Sequence, residues 1–394
     1  MANINKINTI AVIGAGTMGH EIAQVALMGG FNVVLNDLNN EILVKAASKI
    51  EGGLKRLETK GRLREGFTTS KLMKNLILEV NLEVAVSKAD FVFEAIPEIM
   101  SIKQQLFEKL GKFAPNNAIL ATNTSTMSIT EIAQLSGRSD KVIGCHFFTP
   151  IVVLRLIELI KGKETSDETV EIALKVCQKF PALKGKRFLP ILEKESPGFI
   201  VNRLIIGSSA YLNWLLDFAM EKGIPLEQIE AETSDLMEIG PFAKWDYLGL
   251  DVVYNALNYF KNVLSDDFTP GKTLTRLVNN NELGRKTGKG LFRWIEGNPL
   301  INKEKCAGIF DLELFMAIQL NEGCKLLEEG IVSGYKMIDD TILAGMDYPG
   351  PFGAGKRNYK HWTNLIENFV KKSGLTYLSP CELMKSGKFI QIRK

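Results

Sequence analysis

Residues 9–37 read TIAVIGAGTMGHEIAQVALMGGFNVVLND, and this stretch decides the fold. Its apolar start, Thr9–Ile13, predicts a buried parallel strand, and the glycine-rich turn GAGTMG at residues 14–19 follows directly. A helix is predicted over Glu21–Met28, and a second apolar strand is predicted over Asn32–Leu35. Strand, glycine turn, helix and strand in this order are typical of a dinucleotide-binding site.

Each glycine of the turn has a physical task. The first permits the tight turn, the second lets backbone N–H groups approach a pyrophosphate, and the third lets the helix pack on the strand. An acid 23 residues after the first glycine has the spacing typical of a carboxylate that binds ribose hydroxyls and repels a 2′-phosphate. The pattern therefore predicts NAD rather than NADP, with the contacts Gly14, Gly16, Thr17, Met18, Gly19 and Asp37.

Length and charge restrict the class of protein. With 394 residues and 45% hydrophobic composition, the chain is long enough for two or three domains. The net charge is +3, from 48 basic and 45 acidic residues, which argues against a nucleic-acid-binding protein but leaves a local basic patch open.

Cysteine usage and hydropathy predict a cytoplasmic protein. The five cysteines form no CxxC pair and are odd in number, so neither a metal site nor a disulfide framework is expected. The N-terminus lacks the apolar segment of a signal peptide. The apolar stretch Ile151–Ile160 is interrupted by Arg155 and Glu158, so no membrane span is predicted.

The α/β alternation continues after residue 37 and predicts a doubly wound, Rossmann-type domain. Helices are predicted over Asn40–Lys60 and Ser101–Lys112, and strands near Ile77–Glu79, Phe91–Glu94, Ile119–Thr122 and Val142–Cys145. Ligands of such sheets lie beyond the carboxyl ends of the strands. The polar residues there are candidates for the site: Ala95–Glu98, Asn123-Thr124-Ser125 and His146.

His146 and Glu158 form the sharpest candidate pair. His146 closes an apolar strand, and Glu158 lies twelve residues later in an apolar segment that would not hold an acid without a partner. A carboxylate on one imidazole nitrogen would orient the ring and leave the other nitrogen to accept a proton. The alternative is a core histidine satisfied by a backbone carbonyl, with Glu158 on an exposed face. The other two histidines, His20 and His361, are predicted to be solvated.

The chain becomes helical after a boundary predicted near residue 195. Helices are expected over Phe199–Lys222, Leu226–Met237 and Gly249–Val263. Asn202 would fall in the first turns of the first of these helices, near an interdomain cleft, where its amide could hold a substrate oxygen. Taken alone, Asn202 is more typical of an ordinary helix-start residue.

These motifs together resemble the L-3-hydroxyacyl-CoA dehydrogenase family, over roughly residues 8–294. The matching segments are GAGTMGHEIAQVA, FVFEAIPE, ATNTSTMSI, GCHFFTP, LIELI, SPGFIVNRL, GPFAKWDYLGLD and GRKTGKG. The resemblance implies NAD-dependent, reversible oxidation of a (3S)-3-hydroxyacyl-CoA to a 3-oxoacyl-CoA. Short-chain substrates such as 3-hydroxybutyryl-CoA and acetoacetyl-CoA are expected, in a site between the Rossmann domain and the first helical domain.

The family also implies roles for individual residues. His146 would be the general base and Glu158 its carboxylate partner, while Ser125 and Asn202 would hold the substrate oxygen. Positions near the NAD ribose and nicotinamide would be Ala95, Glu98, Lys103 and Asn123.

The CoA side departs from the family in places. Lys60 matches a CoA-contacting lysine within the basic stretch Lys55, Arg56, Lys60, Arg62 and Arg64, most of which fits a solvated helix face equally well. Gly53 replaces a frequent family serine, and Thr149 replaces the usual asparagine. Between Glu158 and Asn202 the chain has about six more residues than the family pattern, within residues 184–190. We interpret this insertion as a longer loop near the sheet edge.

Residues 300–394 contain an internal repeat. The GI and GPF elements of residues 223–242 recur in residues 330–352, 17 residues apart in the first copy and 20 in the second. The predicted domains are therefore 1–195, 196–299 and 300–394, the last two all-α. The second copy lacks the PGFIVNR segment, which favours a packing role, in a monomer with a pseudo-dimeric repeat or in a homodimer.

Two other functions also fit the sequence. One is a dehydrogenase of a free hydroxy acid, which would act without CoA and be indifferent to Lys60. The other is a non-enzymatic NAD-binding structural protein. The family reading also suggests functional coupling to an enoyl-CoA hydratase and a thiolase.

Overall fold

The computed structural model describes residues 7–233, 239–302 and 304–393. The chain forms two compact units. The first comprises the residues up to Val201 together with Gly330–Gly350, and the second comprises Asn202–Glu329 and Pro351–Lys394.

A mainly parallel sheet forms the centre of the first unit, with eight strands among the described residues. They are β1 (Thr9–Ile13), β2 (Asn32–Asn36), β3 (Leu76–Glu79), β4 (Phe91–Glu94), β5 (Ile119–Thr122), β6 (Val142–Phe147), β7 (Ile157–Lys161) and β8 (Ile191–Leu192). Their spatial order is β3-β2-β1-β4-β5-β6-β7-β8, and its first six strands have the doubly wound dinucleotide-binding order. β7 runs antiparallel to β6. The predicted Rossmann-type fold is confirmed.

Helices follow most of the strands of this unit. They are α1 (Thr17–Met28), α2 (Asn40–Thr59), α3 (Thr69–Met73), α4 (Leu82–Val86), α5 (Met100–Phe113), α6 (Ile129–Ala133) and α7 (Asp167–Gln178). α2 begins where the side chain of Asn39 accepts a hydrogen bond from the N–H of Glu41. The apolar residues of the inner strands β1 and β4 are buried, Val12 and Phe93 among them. This burial on both faces explains why the strands read as continuous apolar runs.

The second unit is largely helical. Its helices are α8 (Val201–Glu221, from Asn202 onward), α9 (Leu226–Glu232), α10 (Pro241–Leu248), α11 (Leu250–Val263), α12 (Lys272–Asn279) and α13 (Leu312–Glu328). A short hairpin joins β9 (Trp294–Ile295) and β10 (Asn298–Pro299). The next helix, α14 (Tyr335–Met346), belongs to the first unit, and α15 (Phe352–Ser373) and α16 (Glu382–Ser386) complete the second.

Element bounds agree with the sequence predictions at most positions. β4 and β5 have the predicted ends, whereas β6 extends to Phe147 and so includes His146. α1 begins at Thr17, four residues before the predicted start, because the helix starts directly after Gly16. α9 ends at Glu232, and Met237, its predicted end, lies outside the described residues.

Residues 330–350 of the second helical repeat pack within the sheet unit. The N–H of Arg155 donates to the carbonyl of Ala344 at 3.3 Å, and Lys184 forms an ion pair with Asp347. The side chain of Leu156 lies against Gly345, where a Cβ atom would be only 2.5 Å from its Cδ2. The predicted domain 300–394 is thus divided between the two compact units, and a three-domain organisation stays a prediction.

The loop at residues 184–190 lies at the sheet edge, as predicted, before β8. Arg187 organises this loop, and its guanidinium donates hydrogen bonds to the backbone carbonyls of Ile151, Leu154, Phe180 and Pro181. Burial lowers the pKa of Arg187 to about 10, which leaves the group charged at neutral pH. In the part of the chain that the structure describes, no helix is both long enough and apolar enough to cross a membrane.

Candidate active site

The glycine turn after β1 has the shape that a dinucleotide phosphate requires. Gly14 has a φ of +96°, and a Cβ atom there would lie 2.6 Å from the carbonyl oxygen of Ala95. At Gly19 a Cβ atom would lie 1.7 Å from the carbonyl oxygen of Gly14, so the helix can pack on the turn only with glycine. At Gly16 nothing lies within 4 Å. The first and third glycines are therefore structural, and the second leaves open space beside the start of α1, where a phosphate would bind.

Asp37 lies directly after β2 and is fixed by the backbone. The N–H of Ala15 donates to its Oδ2 and the N–H of Leu38 to its Oδ1, both at 2.7 Å. The carboxylate thus stays half-buried beside the turn, next to a Leu38 side chain that is 97% exposed. Thr17 is exposed and Met18 half-buried in the same turn. The residues present fit NAD.

The residues after β4 and β5 are connected through Glu98. Its Oε1 accepts hydrogen bonds from the N–H of Ser125 at 2.6 Å, the hydroxyl of Ser125 at 3.1 Å and the hydroxyl of Thr124 at 3.0 Å. Its Oε2 lies 3.2 Å from Nζ of Lys103. Three predicted site residues, Glu98, Lys103 and Ser125, are therefore brought together.

Glu94 lies beneath this group and was not predicted as a site residue. It is completely buried, with Oε1 2.6 Å from Nζ of Lys103 and Oε2 accepting the hydroxyl of Thr122 at 2.6 Å. Burial raises the pKa of Glu94, and the charge of Lys103 opposes the rise. Its position at the end of an apolar strand was the sequence signal that could have identified Glu94, because a buried carboxylate requires a partner.

Asn123 and Ala95 connect neighbouring strand ends. Oδ1 of Asn123 accepts the N–H of Phe147 at 3.0 Å, and the N–H of Ala95 donates to the carbonyl of Ile13 at 2.8 Å. Asn123 therefore lies against the end of β6, the strand that carries His146.

His146 and Glu158 are paired directly. They are register partners on β6 and β7, so their side chains share one face of the sheet. Nδ1 of His146 lies 2.7 Å from Oε2 of Glu158, and the residues are 5% and 0% exposed. The imidazole therefore meets a carboxylate and not a backbone carbonyl.

The second oxygen of Glu158 is also engaged. Oε1 accepts the N–H groups of Ile200 and Val201, each at 3.1 Å. These donors compensate the carboxylate for its loss of water and fix its orientation. The rings of Phe148 and Phe199 lie 4.3 Å and 5.6 Å from the His146 ring, which gives the imidazole an apolar surrounding.

The remaining predicted substrate residues are Asn202 and Lys60. Asn202 is half-buried in the first turn of α8 and belongs to the second unit. Lys60 is the exposed C-cap of α2, and the neighbouring basic side chains of residues 55, 56, 62 and 64 are exposed as well. At Gly53 a Cβ atom would lie 2.4 Å from Oε1 of Gln24, so Gln24 occupies the space that a serine would need.

Thr149 contacts a residue that the sequence did not single out. Its hydroxyl donates to the carboxylate of Glu21 on α1, at 3.1 Å and 3.2 Å from the two oxygens, and Glu21 also accepts the N–H of Ile151 at 2.6 Å. Glu21 thus links the helix after the glycine turn to the loop after His146. His361 is 59% exposed, whereas His20 is half-buried with Nδ1 2.7 Å from the carbonyl oxygen of Gly16, so only His361 is as solvated as predicted.

Comparison with known proteins gives a consistent result. The family model of the 3-hydroxyacyl-CoA dehydrogenase NAD-binding domain matches residues 9–185, and that of the C-terminal domain matches residues 198–294. The mitochondrial hydroxyacyl-coenzyme A dehydrogenase of Rattus norvegicus is 35% identical over 297 residues, 73% of this chain and 91% of the relative. A probable 3-hydroxybutyryl-CoA dehydrogenase of Deinococcus radiodurans is 35% identical over 286 residues, 72% of this chain and 99% of the relative.

Solved structures extend the likeness. A 3-hydroxybutyryl-CoA dehydrogenase from Escherichia coli K12 has a TM-score of 0.83 at 24% identity and covers 98% of this chain and 99% of its own, which shows a shared fold. An (S)-3-hydroxybutyryl-CoA dehydrogenase from Ralstonia eutropha has a TM-score of 0.65 at 30% identity, over 74% of this chain and 100% of its own. Together with the glycine turn and the His146–Glu158 pair, these matches show that the chain belongs to the 3-hydroxyacyl-CoA dehydrogenase family and uses NAD as its cofactor.

Proposed function

We propose that this enzyme reversibly oxidises a short-chain (3S)-3-hydroxyacyl-CoA, such as 3-hydroxybutyryl-CoA, to the 3-oxoacyl-CoA. The buried His146–Glu158 pair is the observation that carries the proposal, because it supplies an oriented base for a hydroxyl proton. The short acyl chain is supported by the names of the relatives from D. radiodurans and R. eutropha.

His146 is the general base in this proposal. Glu158 holds Nδ1, so Nε2 is the ring nitrogen that takes the proton of the 3-hydroxyl group. The imidazolium that forms is stabilised by the buried carboxylate, which two backbone N–H groups keep in place. In the reverse direction the same Nε2 returns the proton to the 3-oxo oxygen.

Ser125 and Asn202 hold the substrate oxygen in this proposal. The N–H and hydroxyl of Ser125 are positioned by Glu98, itself paired with the buried Lys103. Asn202 directly follows Val201, whose N–H donates to Glu158. Asn202 is therefore next to a residue that is hydrogen-bonded to the carboxylate partner of His146. A hydroxyl and an amide are both able to donate a hydrogen bond to an oxygen that gains negative charge.

NAD, when bound, accepts the hydride from C3. The proposed contacts of its pyrophosphate and adenosine ribose are the glycine turn with Thr17 and Met18, and Asp37. Ala95, Glu98, Lys103 and Asn123 are proposed for the nicotinamide half, because they lie after β4 and β5 beside Ser125. Lys60 is proposed as a contact of the CoA phosphates on the strength of its exposed charge.

We further propose that the enzyme is a monomer. One side of α8 is covered within the chain: the hydroxyl of Tyr211 accepts the N–H of Asp311 at 2.9 Å, and its ring meets that of Phe369 at 5.3 Å. Helices of the second repeat thus cover a surface that would otherwise need a partner subunit. The cytoplasmic location and the coupling to a hydratase and a thiolase stay predictions.

A single set of assays tests the function. NADH consumption is followed with acetoacetyl-CoA, free acetoacetate and longer 3-oxoacyl-CoA substrates, and NADPH is substituted for NADH. Turnover of acetoacetyl-CoA with NADH supports the proposal, and loss in His146→Gln but not in the matched His361→Gln variant supports the base. Turnover of free acetoacetate identifies a hydroxy-acid dehydrogenase, and NADH binding without any turnover identifies a binding protein.

A further inference from the structure

A buried ion pair connects α8 to the second helical repeat. Arg203, the residue after Asn202, is 2% exposed, and Glu322 on α13 is completely buried. Nε of Arg203 lies 2.8 Å from Oε2 of Glu322. Nη2 of Arg203 also lies 2.8 Å from Oε1 of Glu329, which is 42% exposed.

Glu322 is bound from several sides. Its Oε1 accepts Nζ of Lys325 at 2.7 Å, and its Oε2 accepts the hydroxyl of Tyr377 at 2.8 Å. Burial alone would raise the pKa of Glu322, but the charges of Lys325 and Arg203 outweigh burial and lower the pKa. The carboxylate is therefore ionised where it meets Arg203.

The close approach of the two helices is built into α8. A Cβ atom at Gly207, four residues after Arg203, would lie 2.5 Å from Cγ of Glu322. Any larger residue would push Glu322 away from α8. Glycine in a helix interior lowers helix stability, so this helix is less stable than one with alanine at position 207 would be.

Buried ion pairs are poor contributors to stability, because removing two charges from water costs about as much as their attraction returns. Their geometric demands are strict, however, since a guanidinium and a carboxylate meet well in few orientations. The pair therefore specifies the rotation of α8 about its axis. Successive residues of a helix are about 100° apart, so fixing Arg203 also fixes the direction of its neighbour Asn202.

We propose that Glu322 is a positioning residue for the dehydrogenase reaction: by holding Arg203 it orients the first turn of α8 and hence Asn202. The inference rests on the proposed function, in which Asn202 holds the substrate oxygen. It gives the second helical repeat, from which the proposed function takes no substrate-binding residue, a consequence for catalysis.

The test compares Glu322→Gln with a matched control. Tyr377→Phe removes the hydroxyl that donates to Glu322 and that also interacts with Arg203, and it leaves the ion pair between Arg203 and Glu322 in place. For each variant we would measure kcat and KM with acetoacetyl-CoA, the Kd of NADH by fluorescence titration, and Tm. Glu322→Gln is expected to lower kcat roughly 10- to 100-fold, as misplacement of a positioned group does, with the Kd of NADH unchanged. Tyr377→Phe is expected to keep kcat within about twofold of wild type.

A double-mutant cycle with Asn202→Ala separates positioning from general stability. If Glu322 acts through Asn202, then Glu322→Gln added to Asn202→Ala lowers kcat by no more than about twofold further. The inference is overturned if the kcat losses of Glu322→Gln and Asn202→Ala multiply in the double variant. It is also overturned if Tyr377→Phe lowers kcat as much as Glu322→Gln does. Arg203→Lys, which keeps the charge but not the planar fork, gives a second cycle should Glu322→Gln fail to fold. Absence of acetoacetyl-CoA turnover in the wild type contradicts the proposed function instead, independently of the cycle.

Discussion

His146 and Glu158 lie opposite each other on the antiparallel strands β6 and β7, with Nδ1 and Oε2 2.7 Å apart. The pair is held by the sheet itself, because the register that aligns the two strands also aligns the two side chains. A carboxylate in a mobile loop would have to be ordered at each turnover, whereas this one is fixed before substrate arrives.

Replacement of His146 is expected to remove most of the activity. His146→Gln should lower kcat by about 10²- to 10⁴-fold, the usual contribution of a general base. The Kd of NADH should stay within about twofold, since the imidazole is a base and not a cofactor ligand in this proposal. Stopped-flow turnover and fluorescence titration measure the two quantities. Unaltered kcat would show that another group takes the proton.

Two substitutions of Glu158 should separate catalysis from stability. Glu158→Gln keeps an acceptor for the N–H groups of Ile200 and Val201 but presents an amide N–H₂ to Nδ1. The imidazole must then carry its proton on Nε2, so kcat should fall by about 10²- to 10⁴-fold as in other base–carboxylate pairs. Glu158→Ala leaves the two donors unpaired and should also lower the free energy of unfolding by about 1–3 kcal/mol. Equal unfolding free energies of the two variants would contradict this assignment.

The equilibrium should shift toward the 3-oxoacyl-CoA as pH rises. Oxidation of the 3-hydroxyl group by NAD releases one proton for each NADH, so the ratio of 3-oxoacyl-CoA to 3-hydroxyacyl-CoA should rise about tenfold per pH unit at a fixed NADH/NAD ratio. Absorbance at equilibrium, approached from both directions, measures this ratio. His146→Gln should slow the approach without moving the endpoint. A ratio independent of pH would exclude this reaction.

Gly16 and Gly19 of the turn should respond differently to alanine. In Gly16→Ala the methyl group enters the space that nothing occupies within 4 Å, so Tm should be unchanged while the Kd of NADH increases at least about tenfold. In Gly19→Ala the methyl group would meet the carbonyl of Gly14 at 1.7 Å, and the free energy of unfolding should fall by about 3 kcal/mol or more. Equal NADH affinity in Gly16→Ala and wild type would place the phosphates elsewhere.

The stability contributed by Glu322 should disappear in acid. Since its pKa is lowered in the folded protein, the contribution is fully present above the ordinary value of about 4.3 and is lost as pH falls through the lowered pKa. Tm of wild type and Glu322→Gln, measured between pH 7 and pH 3, should therefore converge at the acid end. A difference that is constant over this range would mean that the pKa of Glu322 is the same in the folded and unfolded states.

Features of this enzyme that depend on residues close together in the sequence could be predicted from local patterns. The glycine turn, the ends of β4 and β5 and the position of His146 follow from periodicity and spacing over a few residues. Glu94 and Glu21 escaped prediction because their partners, Lys103 and Thr149, come from other elements whose register is set by the folded sheet. The same reason hides the partner of Arg203, which lies 119 residues away along the chain.

The position of α14 has a consequence for synthesis. The chain leaves the ribosome N-terminus first, and every strand of the main sheet is available once residue 192 has emerged. The helix that covers Leu156 arrives only with Tyr335–Met346, after most of the second unit. The segment between β6 and β7 therefore remains uncovered while more than a hundred further residues are translated. The first compact unit thus reaches its final packing late in synthesis.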